Sequence, residues 1–144
     1  MGTFEIFEHT ADVGLIVRAS TWEDLLATAA RATFDQMLVD RPAEVEAYDE
    51  VQAVPMRGLE GDRAELLVVW LQELLFRFET RRWAPLVYEF EAAAGAGVRA
   101  RVGFGAFDPK KHRSGLEIKA VTYHELDVHQ EPDGTWLARF ILDV

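Results

Sequence analysis

The sequence predicts a single α+β domain: a mostly antiparallel mixed sheet with two helices packed on it. Three observations lead there. Two stretches repeat their apolar residues at helical spacing. Most of the rest alternates apolar and polar residues as half-buried strands do. The elements run in the order β β α β α β β β β, which is not the strict alternation that a parallel sheet requires. A chain of 144 residues fits one domain, residues 1–144.

Phe4-Glu5-Ile6-Phe7 and Val13-Gly14-Leu15-Ile16-Val17 read as strands, with the polar block His9-Thr10-Ala11-Asp12 between them. The first helix is expected to start at Ser20 or Thr21, because Ser20 and Glu23 match the capping-box spacing. Trp22, Leu25, Leu26, Ala29, Ala30, Thr33, Phe34 and Met37 form its apolar stripe, and Pro42 lies beyond its end. A weakly alternating strand spans 44–54. The second helix is expected to start at Asp62, with Glu65 three residues on. Its stripe is Leu66, Leu67, Trp70, Leu71, Leu74, Leu75 and Phe78, and Pro85 closes the region. Strands follow at 86–91 and 98–104, joined through a turn at 92–97. Two more, 116–130 and 135–142, are joined through Glu131-Pro132-Asp133-Gly134, where Pro presets φ and Gly supplies a positive φ.

One strand breaks its own alternation. In residues 116–130, Val121 and Tyr123 are apolar at odd positions, whereas Leu126 and Val128 are apolar at even ones. The covered face changes near His124, a bulge lies at Tyr123-His124-Glu125, or the sheet is covered on both sides for part of its length.

Composition narrows the function. The formal net charge is −10, poorly suited to holding phosphate backbones, so no stable direct contact with nucleic acid is expected. A basic partner or a cation suits such a chain better, although acidity also serves solubility. The absence of cysteine removes disulfides, thiolate zinc sites and cysteine nucleophiles. No apolar run reaches the ~18 residues of a membrane helix and no signal peptide is evident, so the expected location is the cytoplasm, away from membranes. Enzyme templates fail in turn. Gly103-Phe104-Gly105 lacks the rest of a phosphate loop, and neither serine, Ser20 nor Ser114, stands in a Gly-x-Ser-x-Gly elbow.

Three polar groups stand out. The first is the block at 9–12. The second is the tail Phe140-Ile141-Leu142-Asp143-Val144, which delivers an Asp carboxylate and the α-carboxylate of Val144 to one place. Two such anions either share a divalent cation, for which oxygen donors favour Mg²⁺, Mn²⁺ or Ca²⁺, or point separately into salt-screened water. The third is a basic island carrying Asp108, Lys110, Lys111, His112 and Arg113, either a contact for an anionic surface or a solvated loop.

Taken together, HTADVGL at 9–15, WLQELLFRFE at 70–79, EIKAVTYHEL at 117–126 and WLARFILDV at 136–144 resemble the archease family over nearly the whole chain. The resemblance implies a small α+β protein that is not an enzyme. Its implied role is to activate an RtcB-family RNA ligase in tRNA splicing and RNA repair, promoting guanylylation of the ligase histidine by GTP and multiple turnover. An alternative implied role is that of a chaperone or specificity modulator for a tRNA cytosine methyltransferase. The family's metal site falls on Asp12, Asp143 and Val144, implying a bound Ca, Mg or Mn ion. His9 belongs to the same block as an outer-sphere or proton-handling group. Lys119, His124, Lys110, Lys111, His112 and Arg113 are expected to support the site or contact the partner. A cation joining Asp12 to Asp143 requires the C-terminal strand to pair next to the first strand and the two carboxylates to lie within ~5 Å.

Overall fold

The computed structural model describes residues 2–9, 12–54, 62–91 and 97–144. Seven strands and two helices follow in the expected order: β1 (Thr3–His9), β2 (Asp12–Ala19), α1 (Trp22–Met37), β3 (Ala47–Ala53), α2 (Arg63–Arg81), β4 (Trp83–Glu91), β5 (Val98–Ala106), β6 (Ala120–Gln130) and β7 (Trp136–Asp143). The fold is α+β, as expected. The strands form two sheets, however, where the sequence was read as making one. β1-β2-β7-β6 form a four-stranded sheet and β3-β5-β4 a three-stranded one, and every pairing is antiparallel.

Both helices contact both sheets. Leu25, Leu26, Thr28, Ala29, Ala30, Ala32, Thr33 and Phe34 are all buried, whereas Glu23 and Asp35 on the remaining face of α1 are exposed. So broad a buried stripe needs cover beyond one sheet, and the second sheet supplies it. Within the core Trp70 of α2 donates its indole N–H to the Leu26 carbonyl at 3.0 Å. That bond satisfies the one polar atom of a large buried ring.

The caps show how local chemistry sets the helix ends. Asp62 accepts from the Glu65 amide at 3.1 Å, as the spacing predicts. At α1 the cap is Thr21, which accepts from the Asp24 amide at 3.1 Å, rather than Ser20. The two positions offer the same hydroxyl chemistry, and the path of the chain out of β2 selects between them. α2 ends at Arg82, in the left-handed region with φ 58°. Pro85 therefore stops nothing: it lies inside β4, next to a register shift between Pro85 and Val87. The expected strand at 116–130 begins only at Ala120. The turn expected at 92–97 falls, but for Gly97, outside the described residues. Gly134, with φ 93°, closes the turn between β6 and β7 as read.

The irregularity around His124 is a bulge. Thr122 pairs with Ile141 and Asp127 with Arg139, so residues 123–126 stand opposite Phe140 alone. An odd number of additional residues moves the following side chains to the other face. Val121 before the bulge and Val128 after it thus both face the helices, although their positions have opposite parity. Glu125 takes φ 53° to make the bend.

Candidate functional site

The end of the four-stranded sheet gathers the two termini of the sequence pattern. His9 pairs with Asp12 across β1 and β2. β2 pairs with β7 from Val13↔Leu142 to Ala19↔Trp136, and one step further the same register sets Asp12 against Asp143. Asp143 in turn pairs with Ala120 of β6, and the Lys119 amide donates to the Asp143 carbonyl at 2.8 Å. Directly opposed residues of antiparallel strands share a face, with Cβ atoms about 4.5–5.5 Å apart. The last strand thus pairs with the second strand rather than the first, and Asp12 and Asp143 come to one end of the sheet, at positions on the face turned away from the helices. Asp12 is half-buried and Asp143 exposed. Val144 follows, packed against the core. His9 is described by its backbone alone, and Thr10 and Ala11 lie outside the described residues.

The strand that carries Asp143 is anchored from both sides. Ala138, Phe140 and Leu142 face the core and are fully buried. Ile141 is buried too, at 1% exposure, although it lies on the outer face. Phe7 explains this. Its ring lies over Gly14, the residue opposite Ile141, where any Cβ would collide with the ring. The Arg139 guanidinium sits 4.1 Å from the centre of the same ring and pairs with Glu125 of the bulge at 3.4 Å. An aromatic lid thus covers the sheet one pair away from Asp12 and Asp143. The sequence signal for it was Phe7 opposite a glycine, legible only once the register was known.

The donors at this end are carboxylate and main-chain oxygens, the type that suits a hard divalent cation. Among the described residues no group of three or more His, Asp or Glu side chains gathers as a chelating cluster. Asp12, Asp143 and Val144 could supply only part of the six to eight oxygens that a Ca²⁺ ion takes.

The other candidates lie apart from the pair. His124 is exposed on the bulge, with its amide on the Thr122 hydroxyl at 3.3 Å and its Nε2 3.5 Å from Glu125. In the basic loop, His112 accepts the Asp108 amide on Nδ1 at 2.9 Å and packs its ring on Phe107. Arg113 grips both carboxylate oxygens of Asp40, at 2.9 and 3.3 Å, and its carbonyl accepts from Val39 and Asp40. Those two residues therefore brace the loop, while Lys110 and Lys111 are exposed. Lys119 is exposed at the rim of a groove of about 830 Å³ between α2 and residues 107–119. Its walls include Leu75, Phe76, Phe107, Pro109, Leu116 and Ile118. Sequence reasoning missed this groove. The signal was Phe76, an aromatic outside the buried stripe of α2.

The model of the Archease protein family (MTH1598/TM1083) matches residues 4–144. The protein archease of Methanopyrus kandleri is 37% identical over 146 residues, covering 98% of this chain and 99% of that protein. Its counterpart in Pyrococcus furiosus is 30% identical over the full length of both. The solution structure of Methanobacterium thermoautotrophicum protein 1598 superposes with a TM-score of 0.74 at 30% identity, covering 98% of each chain.

Proposed function

The chain belongs to the archease family, and on that ground we propose that it activates an RtcB-family RNA ligase by promoting GTP-dependent guanylylation of the ligase's histidine. The observation that supports this reading is the order of three strands, which brings Asp12 and Asp143 to the same end of the sheet, with Val144 next in the chain. Asp12, Asp143 and the main-chain oxygens of Val144 would hold a Ca, Mg or Mn ion, whose contribution when bound is to offset charge on transferring phosphates. The chain's own part is positional. β7, buried between β2 and β6, fixes Asp143, and the Lys119 amide on the Asp143 carbonyl fixes the backbone beside it. The chain acts as an activator and not as the catalyst, and the ligase supplies the nucleophilic histidine. His9, Lys119, His124, Lys110 and Lys111 are proposed to support the site or meet the partner, and His112 and Arg113 to hold the basic loop in shape.

The test is GTP-dependent guanylylation of a cognate RtcB-family ligase, with wild-type chain, Asp12→Ala and Asp143→Ala. Wild type is expected to accelerate the reaction, and both variants to bind the ligase without accelerating it. Equal acceleration by all three would make the carboxylate pair structural. No acceleration by wild type would sink the activator reading.

A second reading, that of a chaperone for a tRNA cytosine methyltransferase, has its own supporting observation. Phe76 and Leu116, 57% and 44% exposed, flank the apolar groove. Protection of the methyltransferase from aggregation, undiminished by Asp12→Ala, would favour it.

A further inference from the structure

The β6–β7 hairpin carries a charged row that neither reading uses. Asp127 and His129 share the outer face of β6, and Glu131 follows just past its end. His129 Nδ1 lies 2.9 Å from Asp127 Oδ2, and its Nε2 lies 3.2 Å from Glu131 Oε1. Ionised carboxylates only accept hydrogen bonds, and a neutral imidazole has a single N–H. Contacts from both ring nitrogens to carboxylates therefore require the doubly protonated imidazolium.

The two carboxylates belong to different parts of the hairpin. Asp127 is the first residue back in register after the bulge, opposite Arg139. Glu131 sits at the turn, where its amide donates to the Thr135 carbonyl at 2.7 Å and its carbonyl accepts from Gly134 at 2.9 Å. We propose that Asp127, His129 and Glu131 form a proton-operated clasp: the imidazolium bridges the bulge to the turn, and loss of its proton to solvent frees one carboxylate and loosens the hairpin.

The surrounding groups support this. The helices lie against the opposite face of the sheet. On the outer face, β7 presents Leu137 opposite His129 and Arg139 opposite Asp127. β2 contributes Arg18 opposite Leu137, paired with Glu5 of β1 at 2.8 Å. Arg139 is engaged by Glu125 and Phe7. The nearest anions thus act on His129 with the cations of neighbouring strands already paired. The hydrogen bond to Glu131 raises the imidazole pKa above its ordinary 6.5, desolvation opposes it, and the charge and hydrogen bond of Asp127 with the charge of Glu131 carry the balance upward.

The sign follows. A raised folded-state value makes the clasp's contribution complete below about pH 6.5 and lost as pH rises through the folded midpoint. The experiment is an NMR titration of the His129 ring nitrogens in the full chain, in wild type and in the Asp127→Asn, Glu131→Gln double variant. Wild type is expected to keep both nitrogens protonated to higher pH, so its midpoint shifts down in the double variant. A second measurement compares amide exchange of residues 127–138 in wild type and His129→Gln. Wild-type protection is expected to fall relative to the variant as pH passes through the midpoint. Equal midpoints, or a protection difference that does not change with pH, would overturn the clasp.

Discussion

Asp40 is a half-buried carboxylate whose neighbour dictates its charge. The Arg113 side chain, then its amide, hydrogen-bond the carboxylate and hold it at about 2 against an ordinary 3.8. A depressed value stabilises the fold above the ordinary value and loses that effect as pH falls through the depressed one. Asp40→Asn is therefore expected to lower the melting temperature at neutral pH, and the gap from wild type to close as pH approaches 2. Thermal melts of both chains between pH 2 and 7 check this. A gap that stays constant would show that the contact acts through geometry alone. The same pair bears on the basic loop: Arg113 is exposed but engages Asp40, while Lys110 and Lys111 stand exposed beside it. Side chains that look alike in a list of charges thus divide into a brace and a surface.

The helices and strands show which local signals carry. Asp62 caps α2 as its sequence spacing predicts, and its removal leaves the Glu65 amide without that acceptor. Asp62→Ala is expected to cost about 1 kcal/mol, measured by urea denaturation with an unchanged m-value. A loss near zero would mean that water replaces the cap. Glu65 does not complete a reciprocal capping box, because its carboxylate accepts from the Tyr123 hydroxyl at 3.3 Å. That contact ties the start of α2 to the bulge in β6. The bulge was legible as a break in parity, since apolar residues cannot occupy both odd and even positions of one covered face without a shift. Its size was not, because the same break also fits a sheet covered on both sides.

In the molecule as a whole, β7 is the strand on which most depends. It lies between β2 and β6, and its inward residues Ala138, Phe140 and Leu142 are fully buried. Phe140→Ala is expected to cost about 3–5 kcal/mol, a large share of the roughly 5–15 kcal/mol that holds a typical domain together. Denaturant unfolding measures it, and a cost below 1 kcal/mol would mean that the core closes over the gap. Because Asp143 rides on this strand, the substitution is also expected to disturb the carboxylate pair. Among the described residues no helix is long and apolar enough to cross a membrane.

Local chemistry settled the element order, the α2 cap, the β6–β7 turn and the class of the fold, because each rests on neighbours a few residues apart. Family membership was equally legible, since its blocks are continuous stretches. The division into two sheets was not. A strand's alternation states that one face is covered but not which element covers it, and only packing puts the helices against both sheets. The approach of Asp12 to Asp143 is of the same kind. Residues 131 positions apart in the chain come to one end of the sheet through the pairing of β2 with β7. Hydrogen-bond register between distant strands is fixed by burial of their shared face, a quantity no local window contains.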